Sequence, residues 1–588
     1  MGPQESPSAD AVRRQLERVL ASAAFARSAR MSRFLRLAVE HALAGRGEDL
    51  KEYLIGVEVF DRREAFDPRY DPIVRVEARR LRAKLRAYYE GAGGADELVI
   101  EVPTGSYAPL FRRRASMPAP EPQPAARWRG TIAVLPFTNL GPDMGSEYFS
   151  DGLTEELIHH LTRVPGLRVV AWSTASQLKG RADVRAVAEQ LQVATVLTGS
   201  VRKSGNRVRV TAQLIDTADG AYLWSEAYDR EMRDLFAIQE EISWAIVNAL
   251  RLRLTEGAGA PRLGRLLYNV EAYDLYLKGR FHWNLRSADG LRRSAQYFEE
   301  AIARDPDFAL GYAGLADALC ILVEYGLASP AEGIARAQEA ALKALERDPL
   351  QAEAMTSLAF IRSVYEWNWA EGERYYRRAI ELNPGYATAH HWYAADFLAP
   401  LSRWEKAEAE IETARQLDPL SPIIAEGASF VHLLRGDYER AAEGYRELMV
   451  LYPAYYRAYT ALGRALSLMG RYGEAIAMLE KGRAMGGDVP SIIAARGQVY
   501  GQAGREADAR RLLAELTTLG GRAYVSSASY AILHLGLGEP GRALEWLEAG
   551  CRRRDPAISL LGVHPVYDSL RPDPRFQALL KALGLAPG

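Results

Sequence analysis

Residues 404–419 read WEKAEAEIETARQLDP, and their spacing decides the fold of everything from residue 267 to the end. Ala407, Ile411 and Ala414 are four and three residues apart, so they share one face of a helix. The two small residues let another helix come close, and the larger one fills the space between. Pro419 then ends the segment, because proline has no N–H to donate and cannot continue a helix.

The same punctuation recurs in both directions. Helical segments end in ARDP at Pro306, ERDP at Pro349, ELNP at Pro384 and VLYP at Pro453, and Pro490 follows less regularly. Successive prolines, Pro419 included, are 43, 35, 35, 34 and 37 residues apart. Ala301, Ala344 and Ala379 sit five residues before their prolines, Phe298, Tyr376 and Tyr445 eight before, and Ala441 twelve before. A period near 34 in helical sequence means paired helices stacked into a solenoid. Each pair exposes an apolar face and is stable only when stacked. The 43-residue unit carries nine residues beyond that period, expected in the turn around Glu324 to Gly333.

This pattern resembles the tetratricopeptide repeat family, on Ala407, Ile411, Ala414 and Pro419. A further register carries Gly463, Gly470, Ala475 and Leu479, and weaker copies carry Gly497, Ala509 and Leu513, then Ala543 and Leu547. About seven repeats are expected over residues 270–556, with a closing helix near Pro574 to Leu585. The resemblance implies a concave groove, lined by the first helix of each pair, that takes a protein or peptide partner. By repeat position it puts Trp392, Asp396, Glu426, Phe430, Arg457, Arg464 and Gln498 in that groove.

Upstream, MPAPEPQP (Met117 to Pro124) cannot form a helix or a sheet ladder and reads as a linker. EGAGAP (Glu256 to Pro261) is a second break. The expected organisation is a basic block at 8–114, a linker at 115–129, an α/β block at 130–255 and the solenoid at 267–588, with α-helix dominant.

The basic block reads as helices followed by a hairpin. Its helix PIVRVEARRLRAKLRAYYEG opens behind Asp71-Pro72, a cap residue and a first-position proline. Val74, Ala78, Leu81, Leu85 and Tyr88 form an apolar stripe, and Arg75, Arg79, Arg82 and Arg86 form a basic one beside it. Arg80 and Lys84 add charge on the other flank. LVIEVPTGSYAPLF, Leu98 to Phe111, then reads as a hairpin, followed at once by Arg112, Arg113 and Arg114. Helical core, basic helix and hairpin is the order of a winged helix, which lays its basic helix in the DNA major groove. The nine residues Arg75, Arg79, Arg80, Arg82, Lys84, Arg86, Arg112, Arg113 and Arg114 are the candidate contacts to double-stranded DNA.

Residues 70–111 resemble the effector half of OmpR-type response regulators. Val76, Arg80, Leu81, Arg82 and Lys84 match that family's helix, and Val102, Gly105 and Tyr107 its hairpin. The chain departs by opening with helices rather than a β-platform, and by carrying one glycine in the turn instead of two.

The α/β block starts with the strand TIAVLPF (Thr131 to Phe137) and a helix capped by Ser150 or Asp151. Strands follow at Leu167 to Ala171, Thr195 to Lys203, Arg207 to Asp216 and Tyr222 to Tyr228. A helix at Val184 to Leu191 and a long closing helix at Asp234 to Leu254 complete it. AVLPF, FSDGLTEEL and VLTGSVRKSG resemble the N-terminal domain of TolB and FlgO-type domains, which implies an interaction or sensory module.

No phosphate loop, GxGxxG turn, HExxH or GxSxG occurs. His159-His160 and His390-His391 point 100° apart on a helix and cannot easily share one metal ion. Asp151, Glu155 and Glu156 are read as helix-dipole acids. Cys320 and Cys551, the only cysteines, exclude a disulfide framework. The formal net charge of −1 gives no overall pull toward nucleic acid or membrane, so any such bias is local. With no signal peptide and no run of 18 apolar residues, a cytoplasmic protein is expected. The reading is therefore a non-enzymatic regulator without cofactor or metal. Its basic block binds DNA, its α/β block relays or dimerises, and its repeats bind a protein. The alternative is a pure scaffold that binds no DNA.

Overall fold

The computed structural model describes residues 8–22, 25, 28–60, 73–90, 93, 96–103, 106–113, 130–141, 147–164, 166–181, 183–204, 207–231, 238, 241–242, 245–246 and 269–585. Two compact units result, Met1–Arg127 and Trp128–Gly588.

The first unit packs α1 (Ala9–Ala21), α2 (Ala29–Leu43), α3 (Glu52–Phe60) and α4 (Ile73–Glu90) against the hairpin β1 (Leu98–Glu101) and β2 (Leu110–Arg113). The strands are antiparallel, from Leu98 opposite Arg113 to Glu101 opposite Leu110. Every residue of the expected apolar stripe of α4, from Val74 to Tyr88, is buried. The stripe meets Val12, Leu16, Phe34, Leu35, Ile55 and Ile100 in one core. Asp96, just ahead of β1, ties α1 and α4 together by accepting from Gln15 Nε2 (2.6 Å), Tyr88 Oη (2.7 Å) and Arg18 (3.2 Å). Asp71, Pro72 and Gly105 lie outside the described residues.

The second unit joins the α/β block to the repeats. Its sheet runs in the order β5-β3-β6-β7-β8, from β3 (Thr131–Val134), β5 (Arg168–Val169), β6 (Thr195–Ser204), β7 (Arg207–Asp216) and β8 (Tyr222–Glu231), and β4 (Thr138–Asn139) pairs with β6. β3 is parallel to β5 and β6, and β6, β7 and β8 are antiparallel. The expected closing helix is represented by Ile238, Ile242 and Ile246, one helical turn apart and fully buried in the sheet's core. α5 (Glu147–Thr162) starts earlier than the sequence suggests. Ser150 and Asp151 lie inside it. Ser150 Oγ donates to the Glu147 carbonyl at 3.0 Å, and Asp151 accepts from Lys179 at 2.8 and 3.0 Å. α6 (Trp172–Ser176) and α7 (Val184–Leu191) complete the block.

Among the described residues the array has eight helix pairs rather than about seven. They begin at Val270, Ala309, Ala352, Ala387, Pro422, Tyr456, Pro490 and Ser527. The last begins behind Ser526, which caps it by accepting from Ala528 N, and no proline marks the place. The residues on the small–large–small face are buried, among them Ala407, Ala414, Ala441 and Tyr445. Phe298 fills a slot between Gly279 and Gly314, where a Cβ on either glycine would lie 2.5 Å from its ring. The extra length of the second pair is mostly helix, 16 residues in Ala309–Glu324 and 18 in Pro330–Arg347.

The first helices of the third and fourth pairs end in π-helical turns, Ile361–Tyr365 and Tyr393–Leu398. Such turns widen a helix locally. After the last pair, two 3-10 turns (Pro556–Leu560 and Pro565–Leu570) lead into the final helix, Pro574–Ala582. This segment returns to the third pair. Trp369 Nε1 donates to the Leu583 carbonyl at 2.7 Å. Arg554 donates to the Glu366 carbonyl at 3.0 Å and stacks over Trp367 at 4.5 Å. The solenoid thus closes on itself. No described helix is long and apolar enough to cross a membrane.

Candidate functional site

In the first unit, Arg82 is a strut between helix and hairpin. Its Nε donates to the Val102 carbonyl at 3.0 Å and its guanidinium also to the Ser106 carbonyl at 2.9 Å. Burial lowers its pKa. Lys84 donates to Ser28 Oγ and lies over the Phe25 ring at 5.7 Å, so it too is held by the fold. Arg112 is exposed and sits 3.8 Å from Glu101 across the hairpin. The side chains of Arg75, Arg79, Arg80, Arg86 and Arg113, and the whole of Arg114, lie outside the described residues.

The second unit holds its charged chemistry at the seam between α5 and the repeats. Glu155 accepts from Arg280 at 2.6 and 2.9 Å and from Asn284 at 3.2 Å. Arg280 also lies 3.8 Å from Asp317, whose carboxyl accepts from Ser357 and is pushed up to about 6 by burial. His159 pairs with Glu353 at 3.0 Å, and Arg163 donates to Gln351 at 3.3 Å. Burial would raise the Glu353 pKa, but His159 and Arg163 hold it down at about 2. Glu155 is therefore a partner of the array and Asp151 a partner of Lys179, roles that a helix dipole does not describe. Gly152 permits the close approach, since a Cβ there would meet the Leu277 side chain at 2.6 Å.

A second part of the seam uses a punctuation motif. Asp418, from QLDP, accepts from Thr174 Oγ1 at 2.7 Å and from Ser173. Ala171 N donates to the Leu417 carbonyl at 2.8 Å, and Leu420 N to Thr174 Oγ1 at 2.7 Å. α6 is thus docked where the fourth pair gives way to the fifth, by one backbone–backbone bond and by its hydroxyl side chains.

The seven residues expected in the groove divide between apolar packing and polar contacts. Trp392 is buried against Phe360, with ring centres 5.2 Å apart. Asp396 stands in a π-helical turn, and burial beside Glu324 raises its pKa. Glu426 accepts two bonds from Arg457, at 2.8 and 3.0 Å, and one from Tyr455. Arg457 also covers the Tyr325 ring at 4.7 Å, so the sixth pair touches the end of the second pair's first helix. Phe430 lies 6.4 Å from the His564 ring. Arg464, Gln498 and His564 line a small cavity.

Both histidine doublets are held within the fold. His159 is engaged with Glu353, while burial drives His160 down to about 3. His390 is held by Glu410 at 2.6 Å and the Pro384 carbonyl at 3.0 Å, and burial drives His391 down to about 4. Among the described residues no group of three His, Cys, Asp or Glu could hold a metal.

These features combine an α/β domain with an array of paired helices of the tetratricopeptide-repeat type. Residues 456–482 match the tetratricopeptide repeat, and residues 128–244 match the second domain of HilA/YgeH-like transcriptional regulators. Two relatives carry the comparison further. One is a putative adenylate cyclase 3 of Rhizobium meliloti (strain 1021), 37% identical over 250 residues, covering 42% of each chain. The other is the transcriptional regulator HilA of Salmonella typhimurium, 22% identical over 306 residues, covering 51% of this chain and 52% of that one. The chain spans about half the length of the curated relatives it matches. Among solved structures it is similar to a tetratricopeptide repeat protein from Parabacteroides merdae (17% identity, TM-score 0.33), covering 46% of this chain and all of that one. It is also similar to human IFIT1 (16% identity, TM-score 0.39), covering 54% of this chain and 77% of that one.

Proposed function

We propose that the protein is a non-enzymatic transcriptional regulator whose first unit binds double-stranded DNA and whose repeat array binds a protein partner. The carrying observation is the Arg82 strut. It fixes α4 to the hairpin through two backbone carbonyls, the pairing of basic helix and wing that a winged helix needs to enter a groove in register. Sequence periodicity sets Arg75, Arg79 and Arg86 in the same stripe as Arg82, and Arg80 with Arg112, Arg113 and Arg114 supply further phosphate contacts. The match to HilA/YgeH-like regulators supports a regulatory role, and the TolB-type resemblance supports an α/β block that relays or self-associates. The Asp396, Glu426, Phe430, Arg457, Arg464 and Gln498 wall, with Trp392 packed behind it, is the surface offered to the partner.

The test is binding of the full chain to duplex DNA across a salt series. Affinity should fall steeply as salt rises, since neutralised phosphates release counterions. Arg79→Glu should abolish the shift and leave the fold intact. Arg82→Met should loosen the hairpin as well as weaken binding, because its role is partly structural. No shift at low salt sinks the DNA reading and leaves the scaffold function. With ATP and magnesium the full chain is expected to release no cyclic AMP.

A further inference from the structure

The two edges of the α/β block's sheet end differently. β5 is two residues long, and the chain beyond it runs into α6, which is docked on the array. β8, at the other end of the strand order, has ten residues and pairs with β7 from Tyr222 to Glu231. Among the described residues no strand pairs with its other side. Such an edge is a row of free N–H and C=O groups, a template for another strand. Several devices that usually blunt an edge are missing. β8 is long, holds no proline or lysine, and its one shift of register lies at its start, opposite Leu214 and Ile215. Ser225, Glu226 and Ala227 are exposed in succession, and Asp229 and Arg230 follow.

The charges that remain on β8 are of both signs, and their spacing selects a partner. Glu226, Tyr228 and Arg230 alternate onto one face, opposite Ala212, Val210 and Val208 of β7. Tyr228 is buried, and its hydroxyl donates to Glu226 at 2.6 Å. Arg230 donates to the Asp229 carbonyl at a long 3.4 Å. Suppose a second β8 lies antiparallel on the first, Tyr228 facing Tyr228 across a two-fold axis. Glu226 then stands opposite Arg230 twice. A slip of one residue sets Glu226 opposite Asp229 or Glu231 instead, and a slip of two loses both pairs. In the favoured register Asp229 faces Ala227, and Arg207 of its own copy already neutralises it at 2.6 Å.

We propose that a second copy of this chain pairs with β8 in this register, so that one sheet runs through both copies. This rests on the reading that the α/β block self-associates, and it names the surface and the register.

The test is sedimentation equilibrium of the full chain, without DNA, over a range of protein concentrations. A monomer–dimer equilibrium is expected. Glu226→Arg and Arg230→Glu should each weaken it about tenfold or more, because each turns two attractive pairs into two repulsive ones. The two reversals together should restore it. Within one copy the two side chains stand about 13 Å apart along the strand, so the rescue has to come from pairs between copies. Amide exchange of the unaltered chain needs no variant: protection of residues 225–231 should grow with protein concentration. Where a reversal does not fold, the exchange measurement decides. A dimer indifferent to both single reversals, a double variant no better than the singles, or concentration-dependent protection confined to another segment overturns the proposal and leaves self-association standing. A chain that stays monomeric at every concentration overturns both.

Discussion

The front and back halves of the array are built from the same repeat, yet different things cover them. In front, α5 and α6 of the α/β block lie on the first five pairs through Glu155–Arg280, His159–Glu353 and Thr174–Asp418. Behind, the chain's own last residues turn back, and Trp369 and Arg554 fasten them. The front seam is charged and buried, and the rear closure consists mainly of backbone carbonyls and aromatic faces. The repeat pattern thus dictates how helices pair but leaves open what covers the stack.

Arg280→Ala breaks the front and spares the rear. It strands Glu155 and Asp317 as buried acids, and losing one member of a buried pair costs about 3–5 kcal/mol. Chemical unfolding of the full chain should show that loss, and amide exchange should rise first in α5 and in Val270–Asn284. Equal deprotection of Pro574–Ala582 would mean that the halves are not separable.

Acid should strike both halves. Burial depresses His160 and His564 to about 3 and His391 to about 4, from an ordinary value of 6.5. The unfolded chain then binds more protons than the native one. Stability from these groups is complete above pH 6.5 and is lost as pH falls through that value toward 3. The expected loss is a few kcal/mol per histidine at most. Asp317, raised to about 6, works the other way, because protonation relieves its burial. His160→Gln should flatten the pH 4–6.5 part of the stability curve in front, and His564→Gln the part behind. An unchanged curve in both variants would remove the histidines as its cause.

The smallest effect is expected from Trp369→Phe, which keeps the ring packing and removes one hydrogen bond to Leu583. About 1 kcal/mol should be lost, with faster exchange confined to the final helix.

The sequence reading and the structure agree where information is local. Ala407, Ile411, Ala414 and Pro419 are neighbours along one helix, so periodicity alone locates them. The apolar stripe of α4 was readable for the same reason. Glu155 meeting Arg280, or Arg457 covering Tyr325, joins residues more than a hundred positions apart, and no spacing rule links them. The π-helical turns carry no composition signature, and α6 is too short for a periodic one. The sequence count of about seven pairs falls one short of eight, and the eighth pair, which carries Ala543 and Leu547, starts behind Ser526 with no proline to mark it. Periodicity puts Arg82 on a basic stripe, but its bonds to the hairpin depend on how Val102 and Ser106 fold back over it, which no spacing rule gives.

The closure made by Trp369 and Leu583 has a mechanical consequence. An open solenoid frays from its tips, each terminal repeat peeling away at little cost to the next. Here the first pair is buttressed by α5 and the last segment is moored to the third pair, so neither tip is loose. Heat or force should therefore meet a hoop instead of a zipper, resisting up to a threshold and then giving way in one step.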